Sequence, residues 1–496
     1  MKIISVISIV FFGCLKLMAE SKKTNIILLF ADDQRADTIG AHGNPHIQTP
    51  NLDKLSDSGF SFRKNYCAGS FSGAVCVASR AMLMTGRHWQ QIPGRNKGSG
   101  WSALPVLPRY LRDKADYKTF IVGKWHNGQE TLRSAFSSGS SVYMGGMVDH
   151  ADFYVQDYAQ GKLGDKRKAK EFSSAEFASA AINYIQKAET NKPFFLYVAF
   201  TAPHDPRNPP EKYRQIYYKN RPPLPKNFLP EHPFSNMPMR GMGRDECLAP
   251  WPRTKAVISD QLCEYYGLVT HLDEQVGRIV KSVEESPHAE NTIIIYTADH
   301  GLAMGSHGLL GKQNVYEQSM SSPLIINGTG IAKGKSNAFT YVHDLYATIC
   351  DFANIPTPDG VTSKNLLPLI RGEKETLRDS LFLPFQNNQR AVNDGRWKLH
   401  IYPQINHQLL FDLESNPDET NNLLASHPEK VKELTNLMGK WRRKVGDKDP
   451  LSVTKPQPLK VDYSKVKRVL DVWQPKWIRD KYFDGREKAN HGPKKK

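Results

Sequence analysis

Three short, almost wholly apolar runs each end in residues that carry charge or a ring nitrogen. Asn25 to Ala31 runs into Asp32 and Asp33, Phe194 to Phe200 leads to His204, and Thr292 to Thr297 leads to Asp299 and His300. A fourth run spans Pro323 to Asn327. Such runs, alternating with helical patterns, read as strands buried on both faces of a mainly parallel sheet. In open α/β sheets ligands collect at the carboxyl ends of strands, so residues remote in sequence meet at one rim. The pattern predicts an α/β fold with its chemistry at Asp32, Asp33, His204, Asp299 and His300.

Helical spacing is clearest at Thr49 to Ser58, with Pro50 at the first helical position, and at Ser174 to Ala188, Asp260 to Glu285 and Asp344 to Ala353. Leu262, Tyr266, Val269 and Leu272 read as packing against the sheet. Residues Asn208 to Pro252, rich in proline and methionine, show neither helical nor strand period; a loop that long in a compact domain carries substrate contacts or is mobile. After Ile355 the texture changes. A connector, PDGVTSKNLLPLIRG, precedes LFLPF, RAVNDGRWKLHIY and HQLLFDL, which read as successive antiparallel strands, and a helix over Glu429 to Arg443 follows. The expected organisation is a leader at 1–19, a large α/β domain over 20–370, and a smaller α+β subdomain with an antiparallel sheet and basic tail over 371–496.

Hydrophobic content of 39% and charged content of 24% over 496 residues are those of a globular chain with a large core, and exclude wholesale disorder. The net charge of +17 is uneven, since residues 421–496 hold 20 Lys+Arg against 9 Asp+Glu. Such a segment suits a polyanion or an acidic membrane face, and equally a plain solvated surface. No helix-turn-helix, zinc-finger or aromatic RNA-binding motif accompanies it, so nucleic acid is not an expected partner.

The first 19 residues, MKIISVISIVFFGCLKLMA, read as a secretory leader, which places the mature chain outside the cytoplasm, secreted or periplasmic. An N-terminal membrane anchor and a lipid on Cys14 are the alternatives. No later apolar run approaches the roughly 20 residues of a membrane span. Without Cys14 the chain keeps Cys67, Cys76, Cys247, Cys263 and Cys350, an odd number, so in an oxidising compartment one is free or chemically altered. Cys247 with Cys263 is one conceivable pair, and Cys350, inside an apolar helix, reads as a buried thiol.

Conversion suits Cys76. In CVASRAMLMTGRH, Cys76 to His88, the cysteine stands two residues before a small residue and four before an arginine, behind the glycine-containing approach SFSGAV. That puts it at the mouth of a helix, where backbone N–H groups and the helix dipole favour negative charge. Asp32 with Asp33, and Asp299 with His300, are adjacent pairs at strand ends that supply ligands for a hard divalent cation without long loops. Together with YKTFIVGKWH, FFLYVAFTAPHDP and GKQNVYE, these motifs make the chain from roughly Asn25 to Phe411 resemble the formylglycine-dependent sulfatases of the alkaline-phosphatase-like superfamily.

The resemblance implies an alkaline-phosphatase-like sheet and oxidation of Cys76 to an aldehyde by a formylglycine-generating maturation enzyme. It implies a calcium ion bound by Asp32, Asp33, Asp299, His300 and the modified Cys76. The hydrated aldehyde then attacks sulfur, the alcohol leaves and sulfate is expelled, a covalent route dominated by positioning and charge stabilisation. Carried over in the same way, Arg80 holds the hydrated aldehyde near the metal, Lys124 and Lys312 grip sulfate oxygens, His126 is the base of the eliminating step, and His204 protonates the leaving oxygen. Clustered cations suppress one another's protonation, which suits acid–base work at His126 and His204. His307 and Glu317 belong to the structure around the site. Three positions depart from the pattern: Ala78 where the family core commonly has proline, which bears on which maturation enzyme reads the site; Asp116 where glycine is usual before Tyr117; and His300 where many members have asparagine.

The expected activity is hydrolysis of sulfate esters of a carbohydrate, a sulfated polysaccharide. Phosphomonoester or phosphonate ester hydrolysis, and a catalytically silent polyanion-binding protein, are the alternatives. Gln34, Arg35, Trp101, Asn388 and Arg390 are candidate substrate contacts, as polar or aromatic residues beside the motifs or in the C-terminal subdomain.

Overall fold

The computed structural model describes residues 23–94, 101–234, 244–460 and 475–483. The leader read at 1–19, and the lysines that end the chain, lie outside the described residues. Eleven strands form the main sheet: β1 (Asn25–Ala31), β2 (Phe60–Tyr66), β3 (Lys118–Lys124), β4 (Ser138–Tyr143), β5 (Tyr154–Ala159), β6 (Lys162–Leu163), β7 (Arg167–Lys168), β8 (Phe194–Ala199), β9 (Thr292–Ala298), β10 (Ser321–Gly328) and β11 (Gly334–Tyr341). Their order is β11-β2-β10-β9-β1-β8-β3-β4-β5-β6, with β7 paired to β5.

The neighbours β9, β1, β8, β3 and β4 are parallel, so their carboxyl ends share one rim. Strand β10, which holds the run from Pro323 to Asn327, is antiparallel to both β9 and β2 and sends its end the other way. At the rim the chains stay stitched beyond the strands, with Asp32 N donating to Ala202 O (3.1 Å) and Asp299 N to Ala31 O (3.3 Å). The first residues after β1, β8 and β9 are thereby held side by side.

Side chains alternate across a strand. In β1, Ile26, Leu28 and Phe30 enter one core and Ile27, Leu29 and Ala31 the other. The first core is covered by the helices Val75–Thr85 and Leu107–Ala115, the second by Pro50–Ser58, Ser173–Lys187 and the long helix Lys255–Glu284. Each large aliphatic side chain taken out of water contributes about 1.5 to 3 kcal/mol, which explains why almost wholly apolar runs form these central strands.

A second sheet of four antiparallel strands, β12 (Leu381–Phe385), β13 (Gln389–Asn393), β14 (Trp397–Tyr402) and β15 (His407–Asp412), packs most of its apolar residues into the first core, with the helix Pro428–Val445 against it. The run RAVNDGRWKLHIY thus supplies two strands, split at Asp394 and Gly395. The expected helices appear within a few residues. The long one starts earlier than its apolar period, at Lys255, because Thr254 caps it by accepting from Val257 N. Asn208 to Pro252 is less irregular than its composition suggests. A helix spans Glu211–Lys219, with Tyr213 and Tyr217 buried on one face, and a 3₁₀ turn spans Arg244–Leu248. Cys67, Cys76, Cys263 and Cys350 are buried free thiols and Cys247 is buried, so Cys247 and Cys263 are not bridged to one another. Among the described residues no helix is long and apolar enough to cross a membrane.

Candidate active site

The rim gathers Asp32 and Asp33 after β1, Lys124 at the end of β3 with His126 beyond it, His204 after β8, and Asp299 and His300 after β9. The helix Val75–Thr85 adds Cys76 and Arg80, and the loop before β10 adds Lys312. All ten residues except His126, whose ring is still largely enclosed, fall in the buried class.

Local backbone geometry aims these groups. The pairing of β3 with β4 slips between Val122 and Gly123, a bulge that re-aims Lys124. Gly123 has φ +85°, and a Cβ there would come within 2.1 Å of Ala199 O. Asp33 and His126 themselves take left-handed φ values of 66° and 65°, a conformation costing of order 1 kcal/mol that persists where surrounding bonds enforce it. For Asp33 those bonds are its N–H donating to Asp299 Oδ1 (2.9 Å) and its carbonyl accepting from Tyr265 Oη (2.7 Å). Gly146 lies against the His126 ring, where a Cβ would sit 2.4 Å from Nε2.

Charges alternate through the site. Lys124 Nζ bonds Asp32 Oδ2 and lies 3.6 Å from Cys76 Sγ. Lys312 Nζ bonds both oxygens of Asp33, at 2.9 and 2.8 Å. Arg80 donates through Nη1 to Lys124 O (3.1 Å) and Tyr197 Oη (3.0 Å), and its Nη2 stands 3.5 Å from Asp32 Oδ1 and 3.6 Å from Asp299 Oδ2. Burial alone raises the pKa of the Cys76 thiol, but Lys124, Lys312 and His126 outweigh it and hold the thiol well below its ordinary value. Position 76 is therefore built for negative charge, as a helix N-terminus ringed by cations should be. His126 Nδ1 is 3.5 Å from Cys76 Sγ, and burial, ahead of the Lys124 charge, lowers the pKa of its ring. His204 donates from Nδ1 to Asp205 O (2.8 Å), which leaves Nε2 facing Asp33 Oδ2 at 3.7 Å.

The same site suits a cation. Oxygens of Asp32, Asp33 and Asp299 lie within 4.8 Å of one another, as do ligand atoms of Cys76, Asp299 and His300. Asp32 Oδ1, Asp299 Oδ2 and His300 Nε2 are buried without a hydrogen-bond partner among the described residues. His300 Nδ1 donates to Gly301 O (2.9 Å), so in the neutral ring Nε2 presents a lone pair to Asp33 Oδ1 at 3.3 Å and Asp299 Oδ1 at 3.6 Å. Burial opposes charging of that ring, but Asp299 and Asp33 outweigh it and lift its pKa to about 9. Burial and the neighbouring Asp32 push the Asp299 carboxyl well above the usual range. Three carboxylates lie within reach of one another, with the His300 ring against two of them, and a donor set so rich in carboxylate oxygen fits a hard divalent cation.

The other sequence candidates sort differently. His307 stacks on Tyr316 with ring centroids 3.9 Å apart, and Glu317 accepts from Tyr66 Oη (2.6 Å) and Lys398 Nζ (2.7 Å), structural roles in both cases. The five candidate substrate contacts are engaged within the protein. Buried Gln34 accepts from Tyr296 Oη. Arg35 pairs with Asp37 and donates to the carbonyls of Leu302 and Ala303 at 3.0 and 2.9 Å. Trp101 packs edge-on against Trp125, Asn388 is buried on Gln386, and Arg390 is consumed by Asp447 and Asp449. Polar residues beside a motif are as readily used to close the fold as to meet a ligand. Tyr265, Tyr197 and Ser79, whose hydroxyls brace the Asp33 carbonyl, Arg80 and the Asp299 carbonyl, carry no signal of their own in the sequence, because a tyrosine or serine within a strand or helix reads as packing.

The sulfatase family model matches residues 24–355. The chain belongs to the sulfatase family. A second model, N-sulphoglucosamine sulphohydrolase C-terminal, matches residues 305–444 of this sulfatase. It is 27% identical over 459 residues to an arylsulfatase of Clostridium perfringens, covering 84% of this chain and 93% of that one. It is 25% identical over 503 residues to an N-acetylglucosamine-6-O-sulfatase of Bacteroides thetaiotaomicron, covering 87% and 88%. Among solved structures, one of a protein in complex with its substrate D-glucosamine-2-N,6-O-disulfate superposes with a TM-score of 0.73 at 23% identity, over 87% of this chain and 99% of that one. The sulfatase is thus a sulfuric ester hydrolase on the alkaline-phosphatase-like fold that the resemblance implies.

Proposed function

We propose that this sulfatase is exported and removes sulfate esters from a sulfated carbohydrate, a polysaccharide, using Cys76 oxidised to formylglycine and a calcium ion held by Asp32, Asp33, Asp299 and His300. The observation that carries the reading is the convergence, on one rim of the sheet, of a cation-ringed Cys76 and a carboxylate cluster with unpartnered buried atoms. The carbohydrate substrate is supported by the N-acetylglucosamine-6-O-sulfatase among its relatives and by the disulfated glucosamine bound to its structural neighbour. Export is supported by the leader-like first 19 residues. The division at residue 370 into a catalytic domain and a C-terminal subdomain follows the change from the main sheet to the four-stranded one.

When present, calcium would neutralise charge on the sulfate oxygens, and the hydrated formylglycine would supply the attacking oxygen. Around them the chain's own residues divide the work. Lys124 and Lys312 meet sulfate oxygens with ammonium charges already fixed by Asp32 and Asp33, so little reorganisation accompanies charge development. Arg80, held by Tyr197, places its free Nη2 beside the metal carboxylates and orients the group at position 76. His126, with its pKa lowered and next to position 76, accepts a proton in the eliminating step. His204, its Nδ1 proton fixed on Asp205 O, directs Nε2 into the site and delivers a proton to the departing oxygen. With 1% of its surface exposed, Cys76 is reachable by a maturation enzyme before the fold closes over it.

The test is protein co-expressed with a maturation enzyme, assayed for sulfate release from a panel of sulfated glycans. Mass spectrometry of the Cys76 peptide should show loss of the thiol and gain of the aldehyde. Cys76→Ala should reduce kcat/KM on the order of 10⁴-fold or more, and chelation followed by calcium should abolish and restore activity. Equal turnover by Cys76→Ala would refute the nucleophile, and full activity after exhaustive chelation would refute the metal.

A further inference from the structure

The proline- and methionine-rich stretch between β8 and the long helix returns to the site. Its turn Arg244–Leu248 brings two buried carboxylates, Asp245 and Glu246, onto the loop that carries Lys312. Glu246 accepts from Leu310 N at both oxygens (3.1 and 3.0 Å) and from Gly311 N at 2.8 Å. Arg253, itself buried, answers the Glu246 charge from the other end of the turn, with Nη2 2.8 Å from Oε2. Asp245 Oδ2 accepts from Gln313 Nε2 at 2.9 Å and lies 3.9 Å from Lys312 Nζ. Gln313 extends the contact, since its Nε2 also donates to Gly73 O (2.9 Å), in the approach to the Cys76 helix, and its Oε1 accepts from Lys312 N (3.2 Å). There is no space to spare, because a Cβ on Gly311 would lie 2.5 Å from Gln313 Oε1 and 2.7 Å from Asp245 Cβ.

The loop from Gly301 to Tyr316 is neither helix nor strand; its own backbone bonds, Ala303 N to Gly311 O, Met304 N to Leu310 O and Gly305 N to Leu309 O, stop one residue short of Lys312 and leave the direction of its side chain to its neighbours. A buried carboxylate is an expensive way to satisfy backbone N–H groups, and a buried carboxylate–guanidinium pair is weak evidence for stability, since apolar residues of similar volume do as well or better. What the pair provides is direction: two N–H groups immediately before Lys312 point at one carboxylate, and the next carboxylate faces its ammonium. We propose that Asp245 and Glu246 are positioning residues for Lys312, setting its ammonium against Asp33 and registering it, through Gln313, with the approach to Cys76. They touch neither the scissile ester nor the metal. The proposal rests on Lys312 gripping the sulfate group, as put forward above.

The test is a double-mutant cycle in the matured, calcium-loaded enzyme. Glu246→Gln keeps shape but turns an amide N–H₂ toward backbone donors; it should raise KM for a sulfated substrate and Ki for inorganic sulfate together, on the order of tenfold, with formylglycine content unchanged and kcat changed less than KM. Asp245→Asn should act in the same direction by a smaller factor. In a Lys312→Ala background Glu246→Gln should change either constant less than about twofold, because it acts through the missing ammonium. Factors that multiply across the cycle would overturn the proposal. Should Glu246→Gln fail to fold, an Asp245→Asn enzyme with unchanged KM and Ki would overturn it equally. A Lys312→Ala enzyme that binds sulfate as tightly as the parent would sink the reading of Lys312 itself, an outcome separate from the other two.

Discussion

Arg80 and Arg390 are the same residue in the same degree of burial, and the protein treats them in opposite ways. Arg390, in the C-terminal sheet, donates Nε and Nη2 to Asp447 (2.8 and 2.9 Å), Nη2 again to Asp449 (2.9 Å), and Nη1 to the carbonyls of Gln386 and Gln389 (2.6 and 2.9 Å). Its hydrogen-bonding capacity is closed. Arg80, at the rim of the main sheet, uses only Nη1, while Nε and Nη2 are buried without a hydrogen-bond partner among the described residues. The Arg80 neighbours Asp32, Asp299 and His300 each keep an unanswered atom as well. Buried atoms without a hydrogen-bond partner among the described residues occur elsewhere too, as on Arg207 and His343, but at the rim four residues with such atoms gather in one place. That incompleteness, more than the presence of charge, separates a site from a brace.

The contrast breaks most directly at Arg80. Arg80→Ala should lower kcat/KM on the order of 10³-fold, the scale for losing a preorganised donor to developing charge. Its thermal unfolding in calcium should stay close to that of the parent. An Arg80→Ala enzyme with parental turnover would return this arginine to the structural class. Arg390→Ala should do the reverse. It leaves Asp447 buried with only Arg442 Nε, at 3.1 Å, to answer it, which should cost about 3 to 4 kcal/mol of stability in denaturant unfolding. The kcat of molecules still folded should be unchanged, and a large fall in kcat with parental stability would contradict the contrast.

How much of this could be seen in the chain follows from the same distinction. Asp32, Asp33, Asp299 and His300 are legible because they directly follow runs that are almost wholly apolar, where a charged residue has no solvent to turn to. The parallel strands then fix their neighbours, since β9, β1 and β8 lie side by side. Gln34 and Arg390 looked equivalent on paper. Whether a polar side chain meets Tyr296, as the Gln34 carbonyl oxygen does, or is closed by Asp447, as Arg390 is, depends on packing between segments far apart in sequence, and one-dimensional spacing carries no record of it. The helix Glu211–Lys219 was hidden by the prolines around it, although Tyr213, Ile216 and Tyr217 stand at helical spacing. Glu246 was invisible for a third reason: its partners are backbone N–H groups, which every residue has.

Buried groups outside the site have their own signature in pH. His271 is buried between Phe172 and Tyr213, with ring centroids 4.8 and 4.9 Å away. Burial lowers its pKa to about 4 from an ordinary 6.5, with His150, Arg278 and Lys212 acting the same way against Glu274. Above 6.5 the ring is neutral folded or unfolded and adds no pH dependence. As pH falls from 6.5 towards 4 the unfolded chain takes up a proton that the native ring refuses, so stability is lost with acid, by about 3 kcal/mol for this one group. Comparing denaturant unfolding at pH 7 and pH 4 for the parent and His271→Gln should show a drop smaller by about that amount in the variant. Equal drops would mean that the native ring does titrate.

The smallest effect is expected at Asp116, at the turn into β3. It ends the helix Leu107–Ala115 in the left-handed region, at φ 58° and ψ 32°, with its N–H on Arg112 O (3.2 Å) and its exposed carboxylate on Lys192 (2.9 Å). Glycine enters that region without steric cost, but it also gives the unfolded chain more freedom to lose, and Asp is among the residues that tolerate the conformation best. The surface ion pair adds little. These contributions nearly cancel, so Asp116→Gly should move the melting temperature by no more than about 1 °C. The substitution should also leave kcat/KM unchanged. Lys124 is positioned by the bulge at Gly123 and by Asp32, and His126 by Gly146 and Cys76, with no link running back through the turn. A fall in kcat/KM at parental stability would show that the entry into β3 helps to aim both residues, and would move the boundary between brace and site back to the start of that strand.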